Sequence, residues 1–135
     1  MNQNFYEVVA ENPIIAAVKN MDDLKICCSL EDIRVVFILF GDVCSIGSIV
    51  KTIRDAGKIA MVHMDLISGL SPKEIAVEFI KEQTEADGII STKPSLIKKA
   101  KEMDIMGSRY LPGCWRLLYF GRDTRKYCHH SCRFV

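Results

Sequence analysis

Five short runs of apolar residues recur along the first 108 positions, and stretches with helical spacing separate them. The runs are Ile14-Ile15-Ala16-Ala17-Val18, Val35-Val36-Phe37-Ile38-Leu39-Phe40, Ile59-Ala60-Met61-Val62-His63-Met64, Gly88-Ile89-Ile90 and Ile105-Met106-Gly107-Ser108. A strand with one wet face alternates apolar and polar residues, whereas a strand buried on both faces does not. Continuous runs of this length therefore point to a parallel sheet covered on both sides. Between the runs, Ile46, Ile49, Val50 and Ile53 recur at spacings of three and four, and Gly57 stops that helix. Ser71-Pro72-Lys73-Glu74 reads as another helix start, with serine as cap, proline at the first helical position and Glu74 reaching back. Its apolar stripe is Ile75, Ala76, Phe79 and Ile80. A last helix runs from Ser95 to Met103 and turns Lys98, Lys99 and Lys101 to water.

The result is a β-α-β-α-β-α-β-α-β chain of about 111 residues. With right-handed crossovers it is either the first four to five units of a partial TIM-like (β/α) barrel or an open, flavodoxin-like five-stranded sheet. Periodicity does not separate the two. Length favours the open sheet, because 135 residues fall well short of the roughly 250 of a complete eight-fold barrel.

The rhythm stops near Leu111, so residues 1–111 read as one α/β domain and 112–135 as an irregular basic tail. The tail carries Arg116, Arg122, Arg125, Lys126 and Arg133 against Asp123 alone, a balance of +4; with the chain at +1, the remainder carries −3.

Composition excludes several classes. At 49% hydrophobic and 26% charged residues the chain is globular. No apolar run approaches the roughly 20 residues that span a bilayer. Residues 1–13 lack the basic start and apolar core of a secretory signal, so the six cysteines read as reduced thiols rather than a disulfide framework. The expectation is a soluble, cytoplasmic protein without a membrane partner.

In either architecture ligands bind at the carboxyl ends of the strands. Those ends deliver Lys19, Asn20, Asp22 and Asp23, then Gly41 and Asp42, then His63, Asp65, Ser68 and Gly69. The fourth delivers Ser91, Thr92 and Lys93, and the fifth Ser108 and Arg109. His63 and Asp65 share one side of a strand and suit a polyol hydroxyl. Ser91, Thr92 and Lys93 stand before a helix, where hydroxyl and ammonium donors suit an anion such as phosphate; the same hydroxyls also serve as plain helix caps. Arg109 has the planar fork that pairs with a carboxylate or phosphate. Cys128-His129-His130-Ser131-Cys132 crowds four ligand-type residues into five positions, unlike the separated pairs of structural zinc sites. No dinucleotide or Walker-type glycine loop occurs. No metal and no cofactor are expected, and no nucleophile stands beside an evident base, so the chain does not read as an enzyme.

Three segments resemble one family. Asn12-Pro13-Ile14-Ile15-Ala16-Ala17-Val18-Lys19-Asn20 is similar to the opening of the glycerol uptake operon antiterminator proteins. Val62-His63-Met64-Asp65-Leu66-Ile67-Ser68-Gly69-Leu70 resembles their signature after the third strand, and Asp87-Gly88-Ile89-Ile90-Ser91-Thr92-Lys93 a later element. The resemblance implies a TIM-barrel-like fold and a cytoplasmic regulator of glycerol metabolism rather than an enzyme. It also implies binding of glycerol 3-phosphate as effector and of leader mRNA, in transcription antitermination. Lys19, His63, Asp65, Ser91, Thr92 and Arg109 fall where such a barrel faces its ligand.

After Arg109 the resemblance breaks off. Leu111-Pro112-Gly113 follows almost at once, where members run through further strands. A shifted reading frame would account for the break, and the chain is then expected to be a truncated, defective form. An open barrel edge at the last strand would promote self-association.

A receiver-type phosphoacceptor domain is the competing reading. It would use Asp22 and Asp23 for a metal, Asp65 as acceptor, Thr92 as switch hydroxyl and Lys93 as phosphate clamp, on the open sheet. A barrel enzyme fragment is a third, without a catalytic lysine in a strand.

Overall fold

The computed structural model describes Glu7, Val8, Glu11 and residues 14–108, 114–120 and 125–131. Strands β1 (Ile14–Val18), β2 (Val35–Ile38), β3 (Ile59–His63), β4 (Gly88–Ile90) and β5 (Met106–Ser108) alternate with helices α1 (Met21–Ser29), α2 (Ile46–Asp55), α3 (Glu74–Gln83) and α4 (Pro94–Glu102). All five strands pair in parallel, and their order in the sheet, β5-β4-β3-β2-β1, is simply the order of the chain.

That order decides between the two architectures. A doubly wound sheet needs a reversal of strand order, which sends successive helices to opposite faces. Among β1 to β5 no reversal occurs, so right-handed crossovers put the four helices between them on one face. The packing agrees. Ala16, Val18, Val36, Ile38, Ala60, Val62 and Ile89 are buried in one layer with the helix residues Leu24, Cys27, Ile49, Ile53, Val77, Ile80 and Leu96. Their strand neighbours Ile15, Ala17, Val35, Phe37, Ile59 and Met61 form a second layer on the other face. The fold is the opening part of a (β/α) barrel, and both faces of its strands are buried. The open, flavodoxin-like alternative is thereby corrected.

Two further strands, β6 (Cys114–Phe120) and β7 (Arg125–Ser131), lie in the segment read as irregular. Strand β6 pairs in parallel with the free side of β1, and β7 returns antiparallel along β6. Trp115-Arg116-Leu117-Leu118-Tyr119-Phe120 followed by a short polar break is hairpin chemistry and lies outside the β/α alternation.

Two helix starts differ from the sequence reading. Ser71 and Pro72 belong to a lead-in turn held by Lys73 N–H donating to Ser71 O at 2.7 Å, and α3 begins at Glu74. Its buried residues are Ala76, Val77 and Ile80, while Ile75 is 67% exposed. Helix α4 starts at Pro94, and Lys99 lies 3.9 Å from Glu78 on α3 rather than facing only water.

Two buried charges, Lys58 and Asp87, lie at the amino-terminal end of the sheet. Lys58 donates to the carbonyls of Leu30 and Ile33 at 2.6 and 2.5 Å, satisfying groups left open after α1. Asp87 accepts from the Arg54 guanidinium and from the Ala60 amide at 2.9 Å. Conservation of order at this end serves stability in barrels; ligands meet the other end.

Candidate ligand site at the carboxyl ends of the strands

The carboxyl ends of β1 to β4 are shaped by short-range hydrogen bonds that follow from the residues at each turn. After β1, Asn20 caps α1, its side-chain oxygen accepting from Asp23 N–H at 2.8 Å. Asp23 reaches back to accept from Lys19 N–H at 3.1 Å. This reciprocal arrangement is a variant of the capping box, shifted by one residue because Asp23 accepts from the residue before the cap. It buries Asp23 and leaves Lys19 exposed at the strand end. Asp22 and Asp23 therefore sit in the first turn of a helix, and Asp23, one of the acidic pair that a receiver domain would use for metal, is occupied in capping.

After β2, the Asp42 carboxylate accepts from the amides of Cys44 and Ser45, both at 2.9 Å, and starts α2. The loop is also stitched to the one after β3. Val43 N–H donates to Ser68 O and Ser68 N–H to Gly41 O, each at 3.0 Å. Nothing in the residue types of Asp42 and Ser68 announces this bridge, because the two are brought together only by the pairing of β2 with β3.

The centre of the site lies between β3 and β4, which pair with His63 beside Ile90. His63 continues the inward series Ile59, Met61 and is half-buried. Its Nδ1 is fully buried and meets no hydrogen-bond partner among the described residues. Burial pushes the imidazole pKa below its ordinary value, with the Asp65 carboxylate and the residue's own backbone opposing more weakly. A neutral ring at pH 7 follows. Asp65, on the 3-10 turn Met64–Leu66, is exposed, and one of its oxygens accepts from the Thr92 hydroxyl at 3.4 Å. That contact joins the segments following two neighbouring strands.

Ser91 is placed differently. It is 1% exposed, and its hydroxyl accepts from Lys93 N–H at 3.1 Å. The capping use of this hydroxyl is the one the structure shows, so Ser91 shapes the turn before α4 while Thr92, one residue on, is exposed beside Asp65. The Lys93 ammonium donates to Pro72 O at 3.4 Å and ties this turn to the lead-in of α3. Arg109 lies outside the described residues, as do the side chains of the Cys128–Cys132 cluster. Among the described residues no group of three or more metal-ligand side chains comes together, and no helix is long and apolar enough to cross a membrane.

The strand ends after β3 and β4 thus offer a carboxylate acceptor, a hydroxyl and a neutral imidazole, and Lys19 follows β1.

Residues 14–109 match the family described as glycerol-3-phosphate responsive antiterminator. The chain is 46% identical over 94 residues to the uncharacterized protein YgcP of Escherichia coli (strain K12), covering 70% of this chain and 49% of that one. Among solved structures it resembles the glycerol uptake operon antiterminator regulatory protein of Listeria monocytogenes, with a TM-score of 0.66 and 31% identity over 70% of this chain and 50% of that one. A glycerol uptake operon antiterminator-related protein from Thermotoga maritima gives a TM-score of 0.63 and 35% identity, over 71% of this chain and 53% of that one. The chain spans about half the length of these relatives.

Proposed function

We propose, for a chain that belongs to the glycerol-3-phosphate responsive antiterminator family, that its β3–β4 strand ends bind glycerol 3-phosphate and that this binding governs an interaction with leader mRNA. The protein acts by binding in the cytoplasm and not as an enzyme. The observation that carries the reading is the meeting of Asp65 and Thr92, which come from two different segments of the family resemblance.

Lys19, His63, Asp65 and Thr92 contact the effector directly in this reading. Ser91 holds the turn that presents Thr92, and Arg109 supplies a further cation to the phosphate. Effector binding between strand ends orders the loops after β2, β3 and β4 together, because the Asp42–Ser68 bridge and the Lys93–Pro72 contact already link them. A ligand that favours the ordered arrangement shifts the protein toward the form that meets RNA by its differential affinity alone.

A mobility-shift experiment tests this. Leader RNA of a glycerol-catabolism operon is titrated with the protein, with and without glycerol 3-phosphate. The expected result is retardation that depends on the effector and disappears in Asp65→Asn. Retardation independent of glycerol 3-phosphate overturns the effector role, and no retardation in either condition overturns the RNA role.

A further inference from the structure

We propose that the β6–β7 hairpin is a contact surface for single-stranded RNA, made by arginines and aromatic residues that the strand register places on one face. The choice of RNA rests on the reading above. The surface itself does not, because the family match ends at residue 109 and the hairpin lies beyond it.

The register assigns the faces. Residues paired across strands share a face, and successive residues of one strand alternate. Leu117 and Tyr119 of β6 pair with Ile15 and Ala17 of β1, which belong to the inner layer. Arg116 and Leu118 pair with Ile14 and Ala16, so they fall on the face that carries the helices. Strand β7 continues that face with His129 opposite Arg116, Tyr127 opposite Leu118 and Arg125 opposite Phe120. These three pairs follow one another along the hairpin at intervals of about 7 Å. The helices α1, α2 and α4 lie against β1, β3, β4 and β5. Among the described residues no helix follows β5, so this part of the face has no helix of its own.

Charge and residue type name the partner. Neither strand of the hairpin contains Asp or Glu, and residues 112–135 carry +4 while the remainder of the chain carries −3. A polyanion is therefore drawn to the hairpin and repelled by the rest. A guanidinium pairs with phosphate by its planar fork, and an aromatic ring stacks on any unpaired base. A duplex keeps its bases paired, so only a single strand uses both kinds of residue. With few cations the contact is weak and fades as salt rises. At physiological salt it adds to the affinity for leader RNA and leaves control with the effector.

The test is fluorescence anisotropy of a labelled oligouridine with the full chain, over a series of salt concentrations and without glycerol 3-phosphate. Saturable binding is expected at low salt. A duplex of the same length is expected to bind about tenfold more weakly, the loss of one stacked base. Arg116→Gln with Arg125→Gln is expected to flatten the slope of log Kd against log salt by about 1.4, two cations at about 0.7 each. Arg116→Lys with Arg125→Lys is expected to keep that slope. Tyr127→Ala, on the outer strand, is expected to weaken binding about tenfold, and it carries the test if Arg116→Gln fails to fold in a urea melt. Lys126→Gln, next to Arg125 but on the opposite face, is expected to weaken binding less than Arg125→Gln.

Equal binding of duplex and single strand, an unchanged salt slope, or a larger loss from Lys126→Gln overturns the surface. So does preference for vesicles of anionic lipid over the oligouridine. The mobility shift fails separately. Effector-dependent retardation of leader RNA without oligouridine binding overturns the surface and leaves the regulator reading standing. Oligouridine binding with leader retardation blind to the effector at physiological salt does the reverse.

Discussion

The carboxylate of Asp65 and the hydroxyl of Thr92, 27 positions apart in the chain, lie 3.4 Å from each other just beyond adjacent strands. Both are exposed, so their substitution removes the proposed ligand contacts without opening a cavity. Asp65→Asn and Thr92→Val are each expected to weaken glycerol 3-phosphate binding, Asp65→Asn by about tenfold or more. Titration calorimetry beside a urea melt checks this. A loss of affinity with an unchanged melt is the expected pair of results.

Asp87 presents the opposite case. Its side chain is 1% exposed and holds both the Arg54 guanidinium and the Ala60 amide. Removing one partner of a buried pair leaves the other unpaired, which costs about 3–5 kcal/mol where both charges are buried; with Arg54 35% exposed, Asp87→Ala is expected to fall near the lower end. The exposed pair Lys51–Asp55, at 3.5 Å, is the control. Lys51→Met is expected to change stability by less than about 1 kcal/mol. Urea denaturation of the three proteins measures both.

The depressed pKa of His63 links stability to pH. Its folded-state value lies below the ordinary 6.5 because burial opposes the charged ring. The unfolded chain therefore takes up this proton first as pH falls. The contribution of the neutral ring is fully present above pH 6.5 and is lost as pH falls from there through the folded pKa. The fall in stability between about pH 7.5 and about pH 5.5 is expected to be smaller in His63→Gln than in the parent. Equal slopes in urea melts would contradict the assignment.

Gly88 is set by close approach and not by backbone angle. A Cβ there would stand 2.5 Å from Met106 O and 2.6 Å from Met106 Cβ on the neighbouring strand. Gly88→Ala is expected to force β4 and β5 apart and to cost about 1–3 kcal/mol. Gly47, inside α2, meets nothing nearer than 3.7 Å, so Gly47→Ala is expected to be neutral or to stabilise by up to about 1 kcal/mol through helix propensity. Thermal melts of the two variants should move in opposite directions or leave Gly47→Ala unmoved.

Thiol chemistry follows burial. Desolvation, aided by the neighbouring Cys28 and opposed by Lys58, pushes the Cys27 thiol up to about 12, so its thiolate is scarce near neutrality. Cys44 is exposed. Alkylation followed by peptide mapping is expected to mark Cys44 early and Cys27 only when the chain is unfolded in urea.

Much of the fold was readable from the residues. Burial on both faces leaves a local mark, the unbroken run, and three of the four helices between the runs carry their own spacing or capping signals. The positions of His63, Asp65 and Thr92 at strand ends were legible for the same reason, since a strand end is where an apolar run gives way to polar residues. Ile75 and Ser91 were not. Ile75 fits an apolar stripe by spacing, yet the start of α3 at Glu74 and its seat on the sheet turn Ala76, Val77 and Ile80 inward instead. Ser91 and Thr92 are equivalent as residue types; the turn before α4 buries one and exposes the other.

The chain by itself determined the parallel β/α alternation, its strand ends and its family, because each is written in spacings of a few residues. Strand order, the single helical face, the choice of barrel over open sheet, and the partners of Lys58 and Asp87 were decided only in three dimensions. Both architectures use the same right-handed crossover, so no local pattern distinguishes them. Lys58 and Asp87 meet groups 25 to 33 positions away, a separation at which residue type records that a charge is present but not what it holds.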